Sequence, residues 1–123
     1  MKFAKYTFLV AGIYGLLALV PQYFLESKIG IDTPPAITHP EFFYGFVGVA
    51  IAFQLVFLVI SRDPQRYRLL ILPSIVEKFS FAIPAAILFA AGRLDAQMFA
   101  AGMIDAVLGL LFVLCWFKTP AAD

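Results

Sequence analysis

Four long apolar stretches organise the chain. They run from about Phe3 to Leu25, Glu41 to Ser61, Leu69 to Ala91 and Asp95 to Phe117. A hydrocarbon core of roughly 30 Å needs about 20 mostly apolar residues per spanning helix, and each stretch meets that length. Strand-sized segments of alternating polarity are absent, which argues against a β-barrel. The pattern therefore predicts an all-α fold, a four-helix transmembrane bundle forming a single domain over residues 1–123.

The connections differ in character. Residues 26–40, "ESKIGIDTPPAITHP", form the only long link, and its prolines predict an extended loop with a turn at Gly30. Residues 62–68, "RDPQRYR", form a short basic loop in which Asp63 is placed to cap a short helix beginning at Pro64. Residues 92–94 form a tight turn, so the third and fourth helices should be antiparallel neighbours. Lys2 and Lys5 ahead of an apolar run look like the start of a signal peptide. The run is longer than a signal's apolar region, however, and no A-x-A-like exit follows, so a retained helix is expected. Pro21 should bend that helix or mark its end.

Charge distribution adds an orientation. An even number of spans puts both termini on one side. That side collects Lys2, Lys5, Arg62, Arg66, Arg68 and Lys118, against Lys28 and Arg93 on the other. The positive-inside rule then predicts cytoplasmic N and C termini, in a multi-pass protein of the cell membrane, with a bacterial inner membrane as the expected setting. Composition agrees with burial in lipid: 63% of residues are hydrophobic, only 14% are charged, and mean hydropathy is +0.93. The basic residues are too scattered for a nucleic-acid surface. One cysteine, Cys115, allows no internal disulfide and no CxxC pair.

Against this apolar background the charged residues inside the spans stand out. Each costs about 2.5–3.5 kcal/mol at a helix centre on insertion scales. At 1.5 Å rise per residue, Glu77 and Lys78 should lie roughly 13–15 Å deep and Asp105 about 15 Å deep on the antiparallel neighbour. Tyr14 falls at a similar level, and Gln54 lies nearer the cytoplasmic side. Small residues share the faces of these polar groups: Ala101, Gly102 and Gly109 beside Asp105, Ser74 and Ala82 beside Lys78, Gly15 beside Tyr14, Gly48 on the second helix. Such faces let membrane helices approach closely and should point inward. An interior cluster of Glu77, Lys78 and Asp105 is expected, with Tyr14 and Gln54 as hydrogen-bond partners. Successive helical residues diverge by about 100°, so Lys78 should pair with Asp105 while Glu77 faces Gln54 or Tyr14. Pro73 and Pro84 flank this turn and would permit local unwinding of the kind seen in transporters.

The stretch "THPEFFYG" opens the second helix. Thr38 or His39 could cap it, Pro40 suits the first turn, and Glu41 suits the positive helix end. His39 and Glu41 are therefore the outer-loop candidates. His39 is the only histidine and has no HxxxH or cysteine partner, so no metal site is expected.

The succession "THPEFFYGFVGVA", "SRDPQRYR" and "LPSIVEKFSF" resembles DoxX-like small four-helix bacterial membrane proteins. The resemblance covers the whole chain and implies four spans, a longer first loop with a His-Pro near the second helix, and polar residues in helices three and four. Some members of that group are linked to quinone-dependent sulfur oxidation. A second resemblance, in residue types alone, is to sterol-isomerase-like membrane proteins, which place acids and a histidine in an intramembrane pocket. The first functional reading from sequence is a non-enzymatic structural or accessory membrane subunit, with a membrane protein partner or a homodimer. The alternative is a membrane enzyme or binding protein for a quinone, isoprenoid or sterol-like lipid, with no resident cofactor. The third reading is a proton-coupled transporter.

Overall fold

The computed structural model describes residues 2–121. The described chain is helical and contains no strand. Its elements are α1 (Lys2–Leu19), α2 (Glu26–Asp32), α3 (Pro40–Arg62), α4 (Ile71–Ala90) and α5 (Ala96–Lys118). A 3-10 turn over Val20–Phe24 extends α1, and another over Arg68–Leu70 leads into α4. Four continuous helical segments, Lys2–Phe24, Pro40–Arg62, Arg68–Ala90 and Ala96–Lys118, are each 23 residues long and apolar enough to cross a membrane. The expected four-helix bundle is what the chain forms, with boundaries shifted by only a residue or two.

Local chemistry explains the ends. Pro21 lacks an N–H and cannot continue the α-helical ladder, and the chain tightens to 3-10 geometry there. At the end of α4, Gly92 takes φ +73°. Its N–H donates to the carbonyl of Phe89, and Arg93 N–H donates to that of Leu88 at 2.8 Å. This is the paired pattern of a glycine-terminated helix, which satisfies two orphan carbonyls and reverses the chain. Asp95 then caps α5, its Oδ1 accepting from Met98 N–H at 2.7 Å. In the 62–68 loop Asp63 Oδ1 accepts from Arg66 N–H at 3.2 Å, closing a turn.

One expectation is corrected. The 26–40 link is not extended throughout, because residues 26–32 form α2. Lys28 and Asp32 pair at 2.7 Å one turn apart, and the Thr33 hydroxyl donates to Ile29 O at 2.8 Å. The prolines act only from the residue before Pro34 onward, so the helix survives up to Asp32. A second correction concerns α4. It runs unbroken from Ile71 to Ala90 despite Pro84, so no unwound turn flanks Glu77 and Lys78. Pro73 lies in the first turn, where a missing N–H costs little.

The helices pack as two pairs. α1 lies mainly on α3, and α4 mainly on α5. The pairs meet through α1 and α5 and, over a smaller contact, through α3 and α4. Missing side chains permit the close approach within each pair. A Cβ on Gly12 would meet the Leu58 side chain at 2.7 Å, and one on Gly102 would meet Ala85 Cβ at 2.7 Å. Toward the end that carries the termini, all four long helices close on an aromatic core. Phe8 stacks on Phe112 with centroids 4.2 Å apart, and Phe57 meets Phe112 at 5.0 Å. Ala4, Ile60, Ile71 and Cys115 complete it, all buried.

The outward faces are apolar on every long helix. Leu17 and Phe24, Phe42 and Val49, Val76 and Ile87, Leu110 and Phe117 are all exposed. Water would not tolerate a continuous apolar sheath of this kind, whereas acyl chains match it. The protein is a multi-pass membrane protein whose helices contact the lipid bilayer.

Candidate functional site

The aromatic core stops at Phe57. Beyond it a cavity of about 540 Å³ opens between the two helix pairs. All four long helices line it. Their contributions include Tyr14 and Gly15 on α1, Val49 and Gln54 on α3, Lys78 and Phe81 on α4, and Met98 and Asp105 on α5. Such a volume falls within the range of about 300–1,000 Å³ usual for small-molecule sites.

Three charged groups meet at one wall of this cavity. Lys78 Nζ lies 3.4 Å from Asp105 Oδ1 and 3.5 Å from Glu77 Oε2. It also sits 5.1 Å from the centroid of the Phe57 ring, which forms the boundary with the core. The lysine side chain is 5% exposed, whereas those of Glu77 and Asp105 keep 18% and 20%. The lysine is thus more enclosed than the two acids, and all three residues line the cavity. Gly109 makes room for this arrangement, since a Cβ there would meet Lys78 Cβ at 3.2 Å and Phe79 at 2.8 Å.

The geometry revises the expected division of partners. Glu77 lines the same cavity as Gln54 and Tyr14, and its Oε2 also lies 3.5 Å from Lys78 Nζ. The four-carbon stem of Lys78 lets its ammonium swing between both acids, which a rule based on Cα directions alone does not capture. Nor do Tyr14 and Gln54 hydrogen-bond the charges in the described structure. Tyr14 is exposed at the cavity rim. Gln54 is 1% exposed. Its Nε2 donates back to Ala50 O at 2.8 Å, one turn earlier on its own helix, and its Oε1 has no partner. The Gln54 amide rests on Gly15, where any Cβ would collide with it.

The outer-loop candidates lie apart from this site. His39 Nδ1 and Glu41 Oε1 are 3.2 Å apart and both side chains are exposed. His39 is the N-cap of α3, but neither it nor Thr38 makes a side-chain cap hydrogen bond there. The imidazole stacks on Phe42 instead, with centroids 5.1 Å apart. A different loop contact is better built. Glu26 of α2 accepts from the Tyr44 hydroxyl at 2.9 Å, and Tyr23 stacks on Tyr44 at 5.8 Å. These contacts tie the link after α1 to the start of α3. No group of three or more histidine, cysteine, aspartate or glutamate residues with metal-binding geometry occurs among the described residues.

Sequence reasoning named Tyr14, Gln54, Glu77, Lys78 and Asp105 but missed the polar Gln22 and Ser80 and the apolar walls Phe46, Phe81 and Met98. The spacing held a signal. Phe81 is three residues from Lys78, Met98 is seven from Asp105, and Phe46 is eight from Gln54, so each shares a helical face with a polar partner. Comparison with family models, curated proteins and solved structures finds no match to this chain.

Proposed function

We propose that this protein binds an apolar small molecule with a polar or charged head group inside the membrane. One observation carries the reading. The bundle is closed by aromatic packing at one end and holds a cavity at the other, and the cavity ends on Glu77, Lys78 and Asp105. A bundle packed throughout would leave these charges the single task of fixing helix register, and the structural or accessory subunit would remain the first reading. The cavity puts ligand binding ahead of it.

The rim supports access from the bilayer. Tyr14, Phe46 and Val49 line the cavity and are exposed. Val49 is nine residues into α3, about 14 Å from its start at 1.5 Å per residue, so the opening extends along the flank of the bundle. Lys78 is seven residues past the start of α4, about 11 Å along it, which supports a depth for the charges well inside the bilayer. The charge distribution favours cytoplasmic termini, an orientation in which the cavity opens toward the outer leaflet, and the resemblance to DoxX-like proteins favours a bacterial inner membrane. A quinone, isoprenoid or sterol-like lipid has the required apolar body.

The test is mass spectrometry of small molecules retained by protein purified in mild detergent, with Glu77→Gln in parallel. A compound enriched with the parent protein and depleted from the variant supports the reading. Retention of bulk lipid alone, identical in both, refutes it.

A further inference from the structure

The charged groups around the cavity are unevenly divided in sign. With its three charged groups ionised, the wall formed by Glu77, Lys78 and Asp105 carries two negative charges and one positive, a formal surplus of one negative charge. The positive charge is also the less accessible. The Lys78 side chain is 5% exposed and the acids are 18% and 20% exposed. The ion pairs engage one oxygen of each carboxylate, Glu77 Oε2 and Asp105 Oδ1. Gln54 also lines the cavity, but its donor is spent on Ala50 O and its Oε1 is buried against Gly15, so it offers an occupant no free donor. Tyr14, Phe46 and Phe81 supply aromatic faces on the same walls.

Resting on the ligand-binding reading above, we propose that the occupant is an organic cation with an apolar body. A quinone or other head group that offers only acceptors would find the Tyr14 hydroxyl as a donor at the rim, but at the charged wall it would meet two carboxylates and a cation already shared between them. A cationic head would offset the surplus charge in a site where low dielectric strengthens the attraction. Aromatic faces add cation–π attraction. The apolar body would fill the remaining volume beside Phe81 and Met98.

The experiment uses two ions of nearly identical shape and opposite charge. Binding of tetraphenylphosphonium and of tetraphenylborate to the purified full chain in neutral detergent is measured by equilibrium dialysis, with protein-free micelles as the blank. The expected result is saturable binding of tetraphenylphosphonium and none of tetraphenylborate over the same range. Asp105→Asn and Glu77→Gln should each weaken the phosphonium roughly tenfold or more, as loss of a buried charged partner does. Both variants keep side-chain volume, and circular dichroism establishes that they remain folded. The wild-type contrast needs no variant at all. Equal binding of both ions, or preference for the borate, overturns the cation inference and leaves the cavity reading standing. Binding of neither overturns the cation inference, and the retained-molecule experiment then decides the broader reading by itself.

Discussion

Lys78 Nζ sits 3.4 Å from Asp105 Oδ1, joining α4 to α5 across their interface. The same ammonium reaches Glu77 Oε2 at 3.5 Å on its own helix. One lysine therefore holds two acids in a place where an unpaired charge is costly. Removing it is unlike removing either acid, because it strands two carboxylates at once.

Lys78→Met should destabilise the protein by about 3–5 kcal/mol, the usual cost of leaving a buried partner uncompensated. The combined change Glu77→Gln, Lys78→Met, Asp105→Asn should recover most of that loss, since it removes the charges together. Reversible unfolding in mixed micelles measures both. A triple variant no more stable than Lys78→Met would show that the charges are not what the lysine stabilises.

Gly15 is predicted to be intolerant of even one added carbon. Its Cβ would collide with the Gln54 amide, which is buried and held by Ala50 O. Gly15→Ala should therefore cost about 1–3 kcal/mol by overpacking. Gln54→Ala on the same background should relieve part of it, giving a coupling energy of about 0.5–3 kcal/mol in a double-mutant cycle. Gly45→Ala is the internal control, because a Cβ there meets nothing within 4 Å. Equal losses at the two glycines would mean that helix propensity and not contact sets the cost.

Arg68 clamps the far end of α5. Its Nε donates to Thr119 O at 2.6 Å and its Nη2 to Trp116 O at 3.3 Å, and the guanidinium lies 3.5 Å from the centroid of the Trp116 ring. A planar, five-donor group can satisfy both carbonyls while stacking on the indole, whereas an ammonium cannot. Arg68→Lys should fray the last turn of α5 at a cost of about 1–2 kcal/mol. Trp116 is the only tryptophan, so its fluorescence reports the change without interference. A shifted emission maximum and greater accessibility to iodide are expected. Unchanged emission would show that the stacking does not set the indole environment.

The 62–68 loop looked in sequence like a topology signal alone, and Arg68 shows why such segments read incompletely. Its charge was legible, but its partners are Trp116 and Thr119, 48 and 51 positions away. The same holds in the cavity. Glu77, Lys78 and Asp105 could be picked out because charge within an apolar run is conspicuous at any distance. Their division of contacts could not, because it depends on the reach of the lysine stem and on how the two helix pairs sit against each other.

Sequence alone determined the four spans, their lengths and the tight turn at 92–94, though not the short helix α2 in the 26–40 link. A bilayer sets the length of a helix and obliges it to satisfy its own backbone, so hydropathy and the glycine and proline positions suffice. It also determined which polar residues lie within the spans. Tertiary structure decided everything that depends on distances between helices: the shared lysine, the idle oxygen of Gln54 against Gly15, and a cavity above a closed aromatic core. Acyl chains and helix surfaces are equally apolar, so hydropathy does not say where helices touch and where they part. Side-chain shape at Gly12, Gly15, Gly102 and Gly109 settles that, and it acts only once the helices are side by side.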